Sequence, residues 1–206
     1  MHVVSLARYR TSPANRRRQG LRLSPRPTLY FDLASPYTYL AAERAEQLFI
    51  GLRCLPAYSE RLGCGAMVDD RERDRVARRA AALGLPIVWP VGPPVRVVGA
   101  MRVASLASDS RRGAEFVLAA SRLMFCGGFD VDAPEILAEA AAAAGIELGE
   151  MLQAAGDAGR DAAIEDAGRR LEAAGADRLP VLTVRRRLFC GEDRLSEAAA
   201  AARAAS

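Results

Sequence analysis

Residues 31–45 read FDLASPYTYLAAERA. The apolar run Leu29-Tyr30-Phe31 ends in a polar turn, Ala34-Ser35-Pro36, and an apolar pattern with helical spacing follows. Aromatic and branched residues make Thr28–Leu33 a predicted strand. A serine followed at once by proline is a helix start. The serine can cap, and proline in the first turn gives up an N–H that has no intrahelical partner. The helix is predicted from about Ser35 to about Phe49, with Tyr39, Leu40, Ala42, Leu48 and Phe49 available to pack. Gly51 interrupts it, and Leu52–Tyr58 reads as a second strand. A strand, a helix long enough to cross over, and a second strand make a β-α-β unit.

The middle of the chain has another character. Asp70–Leu83 is a charged, alanine-rich helix with acid–arginine pairs three and four residues apart, Glu72–Arg75 and Asp74–Arg78 among them. Gly84 closes it, and the prolines at 86, 90, 93 and 94 mark a loop, Leu85–Val95. Helices are predicted at about 99–108, 112–126, 133–144, 147–155 and 160–174. Asp132-Ala133-Pro134-Glu135 begins the third of these as a capped helix with proline in its first turn. Asp130 and Asp132 read as loop and cap residues rather than acid catalysts. Strands return in Leu179–Val184 (LPVLTV) and Arg187–Cys190 (RLFC), joined by a tight turn at Arg185-Arg186. A last helix is predicted over Asp193–Ala202. Neither end of the chain has enough strands for a stable sheet, so the two ends must share one. The helical block between them is an insertion. The expected domains are 28–58 with 175–204, and 59–174.

Composition removes whole classes of chemistry. The 206 residues contain no lysine and one histidine, His2, so a Ser-His-Asp relay or a histidine metal cluster cannot be built. The cysteines, Cys54, Cys64, Cys126 and Cys190, include no C-x-x-C pair. With no secretory signal pattern, they read as reduced cytoplasmic thiols. No apolar run approaches the ~18 residues of a membrane span. The net charge of +4 is misleading. Residues 1–28 carry seven arginines and no acid, which leaves 22 arginines against 25 acids in the remainder. An acidic body is a poor nucleic-acid module. Residues 1–27 are expected to be a basic, disordered tail.

The order β-α-β, helical insertion, β-β-α is the layout of an α/β thioredoxin-like fold with an all-helical insertion domain. In FDLASPYTYLA (31–41), LPVLTV (179–184) and LFCGEDRL (188–195) the chain resembles the 2-hydroxychromene-2-carboxylate isomerases and kappa-class glutathione transferases of the DsbA-like superfamily. The resemblance covers roughly residues 28–204. Redox relatives carry C-x-x-C where this chain has Ser35-Pro36-Tyr37-Thr38, so disulfide exchange cannot run from this position.

The resemblance implies a use for glutathione as cofactor. Ser35 would be the catalytic residue, its hydroxyl directed at the peptide's thiol while it also caps the helix. Read locally, Pro180 is an ordinary proline at the first residue of a strand; the resemblance makes it a cis-proline instead. Leu179 would pair through its backbone with the cysteinyl part of the peptide. The Glu192-Asp193 loop would hold the γ-glutamyl end, with backbone N–H groups on its carboxylate and Asp193 on its ammonium; locally, Asp193 reads as the cap of the last helix. No lysine is present for the glycyl carboxylate, and Arg61 and Arg96 are the candidates to replace it. Tyr37 and Trp89 would line a pocket for an aromatic small-molecule substrate. Cys190 reads as a buried, inert thiol. The implied function is a glutathione-dependent isomerase of an aromatic-catabolic intermediate, working as a cytoplasmic homodimer without nucleic-acid or membrane partners. The alternatives are a kappa-like conjugating transferase and a non-catalytic DsbA-like protein that binds a small molecule or a partner.

Overall fold

A computed structural model describes residues 26–58, 62, 69–90 and 97–204. The expectations for the tail up to residue 25, Arg61, Cys64 and Arg96 lie outside the described residues. The first strand, β1 (Thr28–Phe31), is buried along its whole length. Helix α1 (Pro36–Leu48) follows, and β2 (Arg53–Pro56) runs parallel to β1. Arg26 and Pro27, assigned to the tail by sequence, belong to this unit: the Arg53 N–H donates to the Pro27 carbonyl at 2.9 Å.

Among the described residues, six α-helices and one 3-10 turn (Ala158–Arg160) separate β2 from the next strand: α2 (Asp70–Ala82), α3 (Val98–Asp109), α4 (Gly113–Phe125), α5 (Pro134–Ala143), α6 (Leu148–Gly156) and α7 (Asp161–Ala173). Strands β3 (Val181–Val184) and β4 (Arg187–Cys190) form a hairpin, and α8 (Leu195–Arg203) closes the chain. The hairpin turn needs two residues with positive φ, as a primed turn does. Arg185 (φ 49°) and Arg186 (φ 67°) supply them without the usual Asn-Gly.

The sheet order is β2-β1-β3-β4. β3 lies antiparallel to β1, with Tyr30 opposite Val181, so the two ends of the sequence build one sheet as expected. Side chains alternate across it. Leu29, Phe31, Leu182 and Phe189 join the main core with Leu40 of α1 and Leu195 and Ala198 of α8. Tyr30 and Val181 face the other way and pack with Leu171 of α7. The helical block is fastened to this layer mainly through α4, whose Phe116, Ala120, Met124 and Phe125 are buried in the same core as α1.

Two caps differ from expectation. Asp132 does not cap the helix that follows it; Ala133 takes that position without a side-chain bond. The Asp132 carboxylate instead accepts from the Gly99 and Ala100 N–H groups, at 3.3 and 2.7 Å, and so caps α3 from across the fold. Its local N–H partners are replaced by the orphan donors of a distant helix start. Asp193 likewise caps nothing. A 3-10 turn, Glu192–Arg194, precedes α8, whose first residue is Leu195.

Candidate active site

Asp32 ends β1 and shapes the turn that carries Ser35. Its carboxylate accepts from the Ala34 N–H at 2.9 Å. Its main-chain carbonyl accepts from the Ser35 N–H at 3.1 Å and from the Thr38 hydroxyl at 2.6 Å. These bonds turn the chain before Leu33 can extend the strand. Ser35 then sits at the N-cap of α1 in an extended conformation (φ −87°, ψ 123°), with Pro36 at the first helical position.

The capping half of the Ser35 expectation is corrected here. The Ser35 side chain makes no cap hydrogen bond. The donor it would have served, the Thr38 N–H, goes to the Ser35 main-chain carbonyl at 2.9 Å. Pro36 has no N–H to offer. The partly exposed Ser35 hydroxyl and the Tyr37 N–H are therefore both unengaged among the described residues. A hydroxyl donor and a main-chain donor at the positive end of a helix suit an anion.

The same end of the sheet holds the second predicted element. The Leu179–Pro180 peptide is cis. Continuing the β1–β3 register beyond Tyr30–Val181 sets Pro180 level with Phe31 and Leu179 level with Asp32. The Pro180 carbonyl accepts from the Gly191 N–H at 2.8 Å, which brings the 191–193 loop alongside. Gly191 has φ 92°, a conformation that strains any residue with a Cβ, and a Cβ there would also crowd the ends of the Asp193 and Arg178 side chains.

Glu192 and Asp193 divide sharply. Asp193 is exposed, with Arg178 Nη2 at 3.4 Å. Glu192 is 3% exposed. One carboxylate oxygen accepts from Arg79 Nε at 2.6 Å, and the other from Arg44 Nη1 at 3.0 Å and Arg79 Nη2 at 3.1 Å. Its side chain is thus a clamp joining α1, α2 and the turn before α8. Only its main-chain N–H remains for a ligand. Arg44 and Arg79 stand 148 and 113 residues from Glu192, and no local pattern marks either of them.

Tyr37 and Trp89 both pack against the main core while staying partly exposed. The Tyr37 hydroxyl donates to Glu72 Oε1 at 2.6 Å, and Glu72 also pairs with Arg75. Burial, reinforced by the Glu72 bond, pushes the Tyr37 phenol up to about 12. Trp89 stands edge-on to Phe125, with ring centres 6.2 Å apart, and Phe125 stacks on Tyr39. The Arg73 guanidinium lies 5.4 Å from the Trp89 ring centre.

The described thiols are held as thiols, although Cys190 adjoins the site: it pairs across the sheet with Val181 and directly precedes Gly191. Cys54 is buried, and burial pushes its thiol up to about 12. Cys190, expected to be buried, is partly exposed at the end of an edge strand; burial still raises its pKa, away from the thiolate. The Cys126 thiol meets the Tyr39 hydroxyl at 3.2 Å. Two cavities, of about 290 and 510 Å³, open elsewhere: the first is lined by Tyr30, Leu55 and Ile164, the second by Gly51, Arg53 and Gly113. Neither includes Ser35 or Pro180. No described helix is long and apolar enough to cross a membrane.

No protein-family model matches the sequence, and no curated protein matches it. Solved structures do. A 2-hydroxychromene-2-carboxylate isomerase superposes with a TM-score of 0.70 at 16% identity, over 85% of this chain and 93% of the isomerase. A probable DsbA oxidoreductase from Streptomyces coelicolor gives 0.68 at 21% identity, over 87% of this chain and 89% of its own. A protein described as a disulfide isomerase, from Nitrosomonas europaea, gives 0.58 at 16% identity, over 84% and 95%. Likeness at such identities speaks for the fold, and it agrees with the sheet order and the helical block: the chain adopts the DsbA-like thioredoxin fold.

Proposed function

We propose that the chain is a glutathione-dependent isomerase of the 2-hydroxychromene-2-carboxylate type, acting on an aromatic-catabolic intermediate as a cytoplasmic homodimer. The observation that carries this reading is the Ser35 hydroxyl. It sits at a helix N-terminus, beside the sheet end that holds a cis-proline, and it is not used for capping. A hydroxyl released from structural duty is available to donate to an anion.

The residues fit glutathione at three points. Ser35 and the Tyr37 N–H can hold a thiolate, and the main chain of Leu179 can pair with a peptide. The N–H groups of Glu192 and Asp193 have no main-chain acceptor among the described residues and can hold a carboxylate. Asp193 can hold an ammonium once it turns from Arg178. The Glu192 side chain takes no part, because Arg44 and Arg79 occupy it.

Bound glutathione supplies a thiol nucleophile that adds to an unsaturated carbon and leaves again after the former double bond has rotated. Ser35 supplies the electrostatics. A free thiol has a pKa of ~8.5 and is mostly protonated at neutral pH. A hydrogen bond to a charged group contributes ~1.5–3 kcal/mol, and a helix N-terminus ~0.3–1 kcal/mol. Only the part that favours thiolate over thiol counts, which makes a lowering of about one to two units. Ser35 donates and never attacks, so it needs no histidine base.

Calorimetric titration with glutathione tests the reading. The protein should bind glutathione, and S-methylglutathione, which has no ionisable thiol, should bind more weakly. Absence of glutathione binding would refute the proposal.

A further inference from the structure

Arg73 differs from its neighbours on α2. Arg75 pairs with Glu72, and Arg79 with Glu192. The Arg73 side chain has no ion pair among the described residues, and its Nε is buried without a hydrogen-bond partner. What holds it is the face of Trp89, 5.4 Å from the guanidinium carbon. Stacking on a ring fixes the plane of a guanidinium and leaves its N–H edge for an acceptor in that plane. Nε is closed to solvent, whereas the terminal nitrogens are not buried, so an acceptor supplied from outside would meet that terminal edge.

The surroundings narrow the choice. Trp89 is edge-on to Phe125, and the adjoining Val88 is 46% exposed. Gly128 closes on this segment: a Cβ there would meet Val88 at 3.0 Å. A planar cation stacked on a tryptophan, on a helix where Glu72 and Asp74 flank it, suits a carboxylate carried on a flat apolar body, since the guanidinium fork matches a carboxylate in two parallel bonds and the body can share the ring surface. The pair is also tied to the start of α1, because Glu72, next to Arg73, accepts from the Tyr37 hydroxyl at 2.6 Å.

We propose that Arg73 and Trp89 form a carboxylate subsite and that Arg73 is a specificity-determining residue. The inference deepens the function proposed above and rests on it only for the reaction that follows binding. The carboxylate can come from an aromatic acid or from the glycyl end of a peptide thiol.

Trp89 is the only tryptophan in the sequence, so intrinsic emission reports on the subsite directly. The full chain is titrated with benzoate, with benzyl alcohol as the uncharged counterpart, and with glutathione. Benzoate should change the emission saturably, benzyl alcohol should bind more weakly, and Arg73→Met should weaken benzoate by about 10-fold or more. Arg73→Lys should recover part of that loss, because a lysine keeps the charge without the fork. If glutathione rather than benzoate loses its response in Arg73→Met, the carboxylate is the peptide's and the subsite stands. The proposal is overturned if neither ligand alters the emission, or if both bind the wild type and Arg73→Met equally. Circular dichroism checks that Arg73→Met folds; if it does not, Arg73→Gln carries the same titration. A benzoate response without glutathione binding would sink the isomerase reading and leave this subsite intact.

Discussion

Glu192 Oε2 lies 3.0 Å from Arg44 Nη1, and this bond fastens the turn before the last helix to the helix that begins at Ser35. Arg79 adds a second guanidinium from α2 at 2.6 Å. The carboxylate is 3% exposed, whereas both arginines keep some solvent contact, so part of the interaction is screened. Glu192→Gln should cost about 2 kcal/mol and lower the Tm by roughly 4–8 °C. Asp193→Asn, next door but exposed, should stay within about 0.5 kcal/mol. Thermal melts of the two variants read the difference; equal shifts would show that the clamp is not what stabilises the loop.

Alkaline pH should weaken the fold through Tyr37. Its pKa is raised from 10.0 to about 12, first by burial and then by the bond to Glu72. The unfolded chain then loses this proton before the folded one does. Its stabilising contribution is full below pH 10 and is lost as pH rises from 10 to about 12. The phenol is partly exposed, so the effect is modest. Urea denaturation across that window should show a fall in stability that Tyr37→Phe makes shallower. An identical fall in the variant would show that Tyr37 does not drive it.

Cysteine chemistry should be dispensable. Replacing Cys54, Cys64, Cys126 and Cys190 by alanine should leave glutathione-dependent turnover within a few-fold of wild type once packing losses are matched by melting. The wild-type protein should not reduce insulin. If Cys190→Ala alone abolished turnover in a folded protein, the partly exposed thiol on β4 would be a participant.

Local elements were legible because their causes are local. The strand before Ser35, the proline in the first turn of α1 and the tight turn at Arg185-Arg186 are each determined within a few residues. The shared sheet followed from counting strands. The resemblance implied a cis bond at Pro180, where the local sequence read an ordinary strand proline. Other features depend on partners far along the chain. Glu192 is a clamp because Arg44 and Arg79 arrive from 148 and 113 residues away. Asp132 looked like the cap of its own helix and serves α3 instead. Ser35 looked like a hydrogen-bonded cap, but its own carbonyl takes the Thr38 N–H, a competition that residue types alone do not decide. The stacking of Arg73 on Trp89 leaves no pattern in either segment.

The central claim is that the Ser35 hydroxyl serves a thiolate rather than the helix. With no cap bond to lose, Ser35→Ala should cost less than the ~1 kcal/mol of a working cap. Ser35→Gly keeps a tolerable cap residue and also removes the hydroxyl. The decisive measurement is the pKa of the glutathione thiol when bound, read by ultraviolet difference absorbance of the thiolate across pH. In the wild type it should fall about one to two units below that of free glutathione, and both variants should return it toward the free value. Turnover near neutral pH should drop by about 10–100-fold in step. A bound thiol whose pKa equals that of free glutathione, or one that Ser35→Ala and Ser35→Gly leave unchanged, would contradict the account.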